Sequence, residues 1–325
     1  LERVKVAMSK AYLMTVRWVL SPDPKDQKGI TISNRRLVWS DGGLTYEADA
    51  NHAKKILEDM GLHASSNGLD KPCVKETARE IEQDDAELDA QEMTSFRSIA
   101  ARANYLAQDR PDIQFATKEI CRRMAKPTRG CWAALKRLAR YLVQYPRLVF
   151  TFAELGYVPD SIRVYSDSDW AGCLRTRKST SGGVVVLGET AVKHWSSTQT
   201  TRALSSGEAE LVAFVRAASE GLGAQSLAAE LGLHLRVDVF VDLSAAIGMS
   251  NRTGVGKVRH LDVKDLWVQE QVRRKRIHLH KIRGDINPAD LGTKPLSVAE
   301  MTDKLRSVGA GGAYAHRTQP THSRG

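Results

Sequence analysis

Four acidic residues of this sequence each stand where a strand is predicted to end or a helix to begin. They are Asp167, Glu210, Asp242 and Asp290. Residues 162–167 alternate across two faces and residues 237–241 are largely apolar, so each segment predicts a strand that ends near a carboxylate. Ser205 and Ser206 announce a helix that carries Glu210, and Pro288 suits the first turn of another helix that carries Asp290.

The chemistry that four such carboxylates could perform is that of a metal site. Two strand ends and two helix starts can meet at one edge of a sheet, where four like charges would repel one another without a cation between them. Carboxylate oxygens, without cysteine or histidine, favour Mg²⁺ or Mn²⁺. The spacing therefore predicts a site for hard divalent cations with the four acids as its ligands.

Two further acids lie close to these four. Asp169 could share a strand face with Asp167, but aspartate is common in turns, and we interpret Asp169 as a turn residue. Glu208 and Glu210 are two helical steps apart and so face different directions. Because Ser205 and Glu208 have the spacing of a capping box, Glu208 has a structural role and Glu210 is the inward acid.

Some of these residues also have other interpretations. Asp242 has the position of an N-cap for a short helix over residues 243–250, which would be a structural role. His278 and His280 share a strand face, and His260 lies upstream. A soft-metal site normally takes three or four protein ligands, so surface or phosphate-contacting roles are favoured for these histidines.

The basic residues of the chain favour a polyanionic partner. The net charge is +10, and basic side chains are concentrated in residues 252–283, whereas an acidic run covers residues 76–92. Donors suited to phosphate oxygens occur in the loop after the first predicted strand and near the end of a basic helix predicted over residues 258–275. These candidate nucleic-acid contacts are Arg175, Arg177, Lys178, Ser179, Arg273, Arg274 and Arg276.

The composition argues against membrane and disulfide-rich classes. Apolar residues make up 42% of the chain, no apolar run approaches the ~20 residues of a membrane span, and the N-terminus lacks a signal-peptide pattern. We expect an intracellular protein, in a cytoplasmic particle or the nucleus. The scattered cysteines support neither a zinc site nor a disulfide framework. They are Cys73, Cys121, Cys131 and Cys173.

Three segments around the four acids resemble the ribonuclease H domain of copia-type retrotransposon Pol polyproteins. They read YSDSDWAGCLRTRKSTSG from Tyr165 to Gly182, ALSSGEAEL from Ala203 to Leu211, and ADLGTKPL from Ala289 to Leu296. The resemblance is strong over about residues 160–298. A weaker one, from Phe96 to Ile120, is to the region that connects the polymerase with ribonuclease H in these polyproteins.

The resemblance implies hydrolysis of the RNA strand of an RNA/DNA hybrid, in partnership with an upstream polymerase domain. Two Mg²⁺ or Mn²⁺ ions would be held, with Asp167 bridging them, Glu210 and Asp242 on one and Asp290 on the other. Recognition of RNA would rest on its 2′-hydroxyl groups. Ribonuclease H relatives often place a flexible histidine just before the last acid. Gly284 and Asp285 stand there in this sequence, and Asp285 and His280 are the candidates for the role of that histidine.

The predicted fold is α/β: a ribonuclease H-like mixed five-stranded sheet flanked by helices, preceded by a mainly helical region. Three consecutive strands with short loops form an antiparallel meander. The strand that follows the helix carrying Glu210 lies parallel to the first strand. Residues 156–298 form the ribonuclease H domain. Residues 1–155 are a reverse-transcriptase connection region without the Tyr-x-Asp-Asp palm motif, so no polymerase activity is expected, and residues 299–325 form a disordered tail.

The sequence begins with Leu1, which is typical of a fragment. It leaves two alternatives to the ribonuclease H function open. Integrases and transposases share this fold with three acids, on the first strand, the fourth strand and a late helix. The additional Glu210 favours ribonuclease H. A decayed copy could also retain only the fold and a basic surface that binds nucleic acid.

Overall fold

The computed structural model describes residues 2–83, 86–242 and 263–311. Within them the chain forms two five-stranded sheets, which we call the N-terminal sheet and the C-terminal sheet. The helices and strands before residue 153 are α1 (Glu2–Ala11), β1 (Gly29–Ile32), β2 (Arg35–Ser40), β3 (Gly43–Glu47), α2 (Ala50–Asp59), α3 (Ala78–Gln83), α4 (Ala90–Leu106), α5 (Pro111–Cys121), α6 (Arg129–Gln144) and β4 (Val149–Phe152).

The N-terminal sheet, with strand order β1-β2-β3-β4 followed by β10 (Ala310–Gly311), contains a tight hairpin between β2 and β3. Ser40 pairs with Gly43 at its tip. Gly43 has a φ of +111°, and a Cβ at this position would lie 2.2 Å from the carbonyl oxygen of Phe152 on β4. Only glycine fits this close backbone approach, because it has no Cβ and tolerates positive φ. The region predicted to be mainly helical thus also contains four strands of a five-stranded sheet.

The C-terminal sheet carries the four acids. Its elements and those around it are β5 (Ser161–Asp169), β6 (Thr180–Leu187), β7 (Thr190–Thr198), α7 (Ser206–Glu230), β8 (Arg236–Val241), α8 (Val263–Arg273), β9 (His278–Lys281), α9 (Val298–Arg306) and β10 (Ala310–Gly311). The strand order is β7-β6-β5-β8-β9. β5, β6 and β7 are antiparallel, whereas β8 is parallel to both β5 and β9. The predicted mixed five-stranded sheet is confirmed.

The helix α7 covers one face of this sheet. Ile162 and Val164 of β5 and Val237 and Val239 of β8 are buried in one apolar cluster with Phe214 of α7. Alternate residues of a strand point to the same face, so the alternation read from the sequence is the pattern that buries this face. The long crossover through α7 allows β8 to run parallel to β5.

The basic helix ends earlier than predicted. α8 ends at Arg273, and Lys275 takes a φ of +56°, a left-handed conformation that cannot continue a right-handed helix. The predicted end at Lys275 is therefore wrong by two residues. The predicted helix over residues 243–250 and the first part of the basic helix lie outside the described residues.

The prediction of a disordered tail from residue 299 is wrong as far as residue 311. Ser297 and Glu300 form a capping box at the start of α9, and Met301 and Leu305 are buried. The backbone of β10 then pairs with β4 of the N-terminal sheet. An amphipathic helix with a strong cap can bury one face, which stabilises it. Residues 312–325 lie outside the described residues.

A second apolar cluster packs the two sheets together, with Phe150 of β4 and Ala191 of β7 among its buried residues. Val184 and Val186 of β6 are buried in the same cluster as Phe96 of α4, Leu135 of α6 and Leu305 of α9. The expected domain boundary near residue 155 is thus a connection in the chain, and buried residues from both sides of it pack in the same cluster. No helix within residues 2–83, 86–242 and 263–311 is long and apolar enough to span a bilayer.

Candidate metal centre

Three of the four predicted acids converge at one edge of the C-terminal sheet. Asp167, Glu210 and Asp242 each offer a carboxylate oxygen, and these oxygens lie within 4.8 Å of one another. Asp167 and Glu210 are 4% and 5% exposed, and Asp242 is partly buried. Carboxylate oxygens are the ligands that hard divalent cations prefer, so three of them at this separation form a candidate cation site.

The parallel pairing of β5 and β8 explains why two of these acids meet. Tyr165 of β5 is in register with Phe240 of β8, so Asp167 and Asp242, each two residues further on, lie at the same level along the two chain segments. Carboxyl ends of parallel strands share one edge. β5 extends two residues beyond the predicted strand end, to Asp169, whereas Asp242 directly follows β8. Positions near the ends of two parallel strands therefore bring the two acids close together.

Glu210 enters the site from the first turns of α7. Its Oε1 accepts hydrogen bonds from the backbone N–H of Ser168 at 3.0 Å and from the Ser168 hydroxyl at 2.8 Å. Its Oε2 is buried and accepts no hydrogen bond. Burial, followed by the charge of Asp167, raises the pKa of Glu210 to about 8. A buried carboxylate oxygen without a donor is costly, and a bound cation would satisfy it.

The pKa values of Asp167 and Asp242 are raised for similar reasons. Burial and the nearby charge of Asp290 raise the pKa of Asp167 to about 7, although the Thr293 hydroxyl donates a hydrogen bond to its Oδ2. The pKa of Asp242 is also raised, again by burial first and by Asp290 second. Desolvated like charges favour the protonated forms. A divalent cation would reverse this preference, so the three residues fit a metal.

Asp290 lies beside this group and not within it. Its two carboxylate oxygens form ion pairs with Lys294 at 2.9 Å and with Lys304 at 3.0 Å. The short 3-10 helix Pro288–Gly292 carries Asp290. The Asn287 side chain caps that helix through Ala289 N–H and donates to the Ser166 carbonyl at 2.9 Å. The fourth acid is therefore anchored next to β5, with lysines as its partners.

Asn287, Thr293 and Lys304 are functional-site residues that sequence reasoning missed. Asn287 had a signal, because an asparagine directly before a proline is typical of a helix N-cap. Thr293 and Lys304 had no sequence signal, because only the folded chain brings Thr293 to Asp167 and Lys304 to Asp290.

Glu208 has a structural role in the structure. Its backbone N–H donates to Ser205 Oγ at 3.2 Å, and its own carboxylate accepts from the Leu204 N–H at 2.8 Å. The side chain thus reaches one residue further back than in an ordinary capping box. Asp169 pairs with Thr180 in the β5–β6 ladder and is not a member of the carboxylate group.

The candidates for the role of a mobile histidine are engaged elsewhere. His280 Nε2 lies 3.2 Å from Asp238 Oδ1, and its ring stacks on Phe240 with centroids 4.9 Å apart. Asp285 is exposed and pairs with Arg283 at 2.5 Å. Neither His280 nor Asp285 belongs to the group of converging carboxylates. His278 is exposed, and His260 lies outside the described residues.

The candidate nucleic-acid contacts differ in accessibility. Arg177 and Arg273 are exposed, Arg274 pairs with Glu270 at 2.7 Å, and Arg276 donates to Gln271 at 3.3 Å. Arg175 pairs with Glu76, and Lys178 is partly buried. The prediction that Ser179 contacts nucleic acid is wrong for this conformation. Ser179 is completely buried, and its hydroxyl accepts from the Ala171 N–H at 3.1 Å.

Comparisons with known proteins place the chain among transposon polyproteins. No protein-family model matches it. It is 31% identical over 219 residues to the retrovirus-related Pol polyprotein from transposon RE2 of Arabidopsis thaliana, which covers 66% of this chain and 15% of that protein. It is 32% identical over 187 residues to the Pol polyprotein from transposon TNT 1-94 of Nicotiana tabacum, which covers 57% and 14%. The chain thus spans about a seventh of the length of these curated relatives.

Among solved structures, a ribonuclease H1 called LC11, isolated from compost by a metagenomic approach, is similar to the chain. The identity is 18%, the match covers 41% of this chain and 93% of the other, and the TM-score is 0.31.

Proposed function

Because this chain belongs to the family of retrovirus-related Pol polyproteins from copia-type transposons, we propose that its C-terminal sheet hydrolyses the RNA strand of RNA/DNA hybrids. The observation that carries the proposal is the convergence of Asp167, Glu210 and Asp242. Glu210 belongs to this group, which favours ribonuclease H over the integrase-like alternative, whose three acids do not include one on the first long helix.

The metal-binding role follows from the donor set. Asp167, Glu210 and Asp242 would hold Mg²⁺ or Mn²⁺, and the orphaned Oε2 of Glu210 is the atom that most needs a cation. When bound, such ions supply positive charge that stabilises the phosphoryl oxygens and lower the pKa of water at the site. We propose two ions, the second shared by Asp167 and Asp290. Asp290 would have to exchange at least one of its lysine partners to take part.

The other residues of the site hold the carboxylates in place. Ser168 fixes Oε1 of Glu210, and Thr293 fixes Oδ2 of Asp167. Asn287 ties the turn that carries Asp290 to the backbone of β5. Rigid hydrogen-bonded support of this kind keeps charged groups aligned without a reorganisation cost.

The substrate would be bound through its phosphates, and its RNA strand recognised through 2′-hydroxyl groups. The proposed phosphate contacts are Arg175, Arg177, Lys178, Arg273, Arg274 and Arg276. The partners proposed are an RNA/DNA hybrid and the upstream polymerase part of the same polyprotein, acting inside the cell.

The test is cleavage of hybrids labelled on one strand. Purified protein is incubated with an RNA-labelled hybrid, a DNA-labelled hybrid, an RNA duplex and a DNA duplex, with Mg²⁺, Mn²⁺ or EDTA. We expect cleavage of the RNA strand of the hybrid alone and only with a metal, and none by Asp167→Asn. An intact hybrid with both metals would refute the proposal, and trimming of DNA ends would favour the integrase-like alternative.

A further inference from the structure

The carboxylate of Glu76 is bound by two arginines from different parts of the fold. Arg123, just after α5, places Nη1 3.1 Å from Glu76 Oε1. Arg175, in the β5–β6 loop, approaches the same carboxylate through Nε and Nη2, each at 3.2 Å. A guanidinium that meets a carboxylate through two nitrogens presents the fork geometry that also binds phosphate.

The Arg123 side chain and the loop that carries Arg175 are held in place by residues other than Glu76. Arg123 Nη2 donates to Thr128 Oγ1 at 3.0 Å. The loop of Arg175 is fixed by Arg122, whose Nη2 donates to Cys173 Sγ at 3.5 Å and to Thr176 Oγ1 at 3.3 Å. Within that loop, the Arg177 N–H donates to the Cys173 carbonyl at 2.7 Å. The pair of guanidinium groups is thus part of a built site.

Glu76 itself is the least constrained member of the contact. Its side chain is 49% exposed, whereas those of Arg123 and Arg175 are 22% and 26% exposed. It precedes α3 and lies in a segment without helix or strand. Movement of the Glu76 carboxylate would break no backbone hydrogen bond of a helix or strand. Its displacement therefore disturbs little of the surrounding structure.

The place of Arg175 in the fold links this contact to the carboxylate site. Arg175 lies on the loop that joins β5, which carries Asp167, to β6. The side chain of Lys118, also from α5, reaches Thr180 Oγ1 at 2.9 Å at the start of β6. Arg175 is therefore on the hairpin that carries Asp167, and Lys118 of α5 contacts the same hairpin from outside.

We propose that Arg123 and Arg175 form a binding site for one nucleic-acid phosphate, and that the Glu76 carboxylate occupies this site until a phosphate displaces it. Glu76 then acts as an internal competitor that lowers affinity for nucleic acid. That the ligand is a nucleic-acid duplex rests on the proposed function, whereas the binding of a phosphate by two arginines does not. Glu76 is the first residue of the acidic run over residues 76–92, and the proposal gives this residue a function.

The experiment measures binding without cleavage. A fluorescent RNA/DNA hybrid and a DNA duplex of the same sequence are titrated in EDTA at several salt concentrations between about 50 and 200 mM, the range over which phosphate contacts weaken strongly. The proteins compared are wild type, Glu76→Gln, Glu82→Gln, and Glu76→Gln combined with Arg175→Gln. Glu82 is an exposed residue of α3, so Glu82→Gln removes the same charge and serves as the matched control.

We expect Glu76→Gln to bind both duplexes about two- to fivefold more tightly than Glu82→Gln at low salt, which is the size of a partly exposed ion pair. The slope of log K against log salt should also be steeper for Glu76→Gln, by at most about 0.9, because in the wild type salt also weakens the competing Glu76 ion pair and so offsets part of the loss of affinity. Adding Arg175→Gln should abolish both gains.

Equal affinity and slope for Glu76→Gln and Glu82→Gln on both duplexes would overturn the proposal and leave the Glu76 contact as an ion pair between loops. The result does not depend on the proposed function. A protein that fails to cleave hybrids, or that prefers DNA, still gives a decisive comparison of the two variants on the DNA duplex.

Discussion

The ammonium group of Lys304 lies 3.0 Å from Oδ2 of Asp290, with both side chains almost completely buried. The same ammonium donates to the carbonyl oxygens of Asp285 at 3.0 Å and Asn287 at 2.9 Å. A residue of α9 therefore sets the charge around the fourth acid and also holds the turn that carries it. Buried ions are tolerated when they are both paired and hydrogen-bonded, and this pair meets both conditions.

Loss of the Lys304 ammonium should destabilise the fold strongly. Lys304→Met keeps most of the side-chain volume but leaves the Asp290 charge with Lys294 alone. It also leaves the buried Asn287 carbonyl and the partly buried Asp285 carbonyl without this donor. We expect the free energy of unfolding to fall by about 3–5 kcal/mol, the usual cost of breaking a buried ion pair. Denaturant unfolding measures this. Arg306→Met, on an exposed part of the same helix, is the control and should change stability by less than about 0.5 kcal/mol. Equal effects of the two changes would contradict the assignment.

The stability of the metal-free protein should decrease from about pH 4 to about pH 8. In the folded chain the pKa values of Asp167 and Glu210 are raised to about 7 and about 8, whereas in the unfolded chain both groups lose their protons near pH 4. Between these values the folded state binds more protons, so the free energy of unfolding falls as pH rises, by at most about 1.4 kcal/mol per pH unit for each group.

Thermal unfolding in EDTA between pH 5 and 9 tests this pH dependence. Glu210→Gln removes one titrating carboxylate and should flatten the decline, and added Mg²⁺ should restore stability mainly at high pH, where the ligands are ionised. A decline of equal steepness in wild type and Glu210→Gln would show that Glu210 does not titrate in this range.

Replacing any one of the converging acids with its amide should remove most hybrid cleavage. Asp167→Asn, Glu210→Gln and Asp242→Asn keep the side-chain shape but lose a charge that would bind metal. A loss of about 100-fold or more is expected, because metal ions contribute several kcal/mol to such reactions. Glu208→Gln is the matched control. Its amide oxygen can still accept from the Leu204 N–H, so cleavage should persist. Full activity in Glu210→Gln with loss in Glu208→Gln would invert the assignment of the two glutamates.

The three arginines near the end of α8 should contribute to the salt dependence of binding. Changing Arg273, Arg274 and Arg276 together to glutamine should flatten the slope of log K against log salt by roughly two, since two or three phosphate contacts are expected. A triple change of Arg36, Lys54 and Lys55, exposed cations of the N-terminal part, serves as the charge-matched control. If both triple variants shift the slope equally, the arginines act only through net charge.

The parts of the site that the sequence predicts are those with a local pattern. Asp167 lies two residues before the end of β5, Asp242 directly follows β8, and Glu210 follows a serine cap, so each acid is near an element whose pattern is visible in a few residues. The bond from Asn287 to the Ser166 carbonyl joins residues 121 positions apart, and such contacts have no local pattern. Ser179 shows the reverse error, because a hydroxyl in a basic loop has the composition of a surface contact, yet the loop folds over it.

The pairing of β10 with β4 has a consequence for synthesis of the chain. Thr151 of β4 donates its N–H to the Gly309 carbonyl at 2.8 Å, and the same short segment accepts from Ala191 of β7 through the Val308 carbonyl at 2.9 Å. At about 5–20 residues per second on the ribosome, β4 waits on the order of ten seconds for its last partner to emerge. During this interval one edge of the N-terminal sheet is open, which is when nascent chains are most prone to pair with one another.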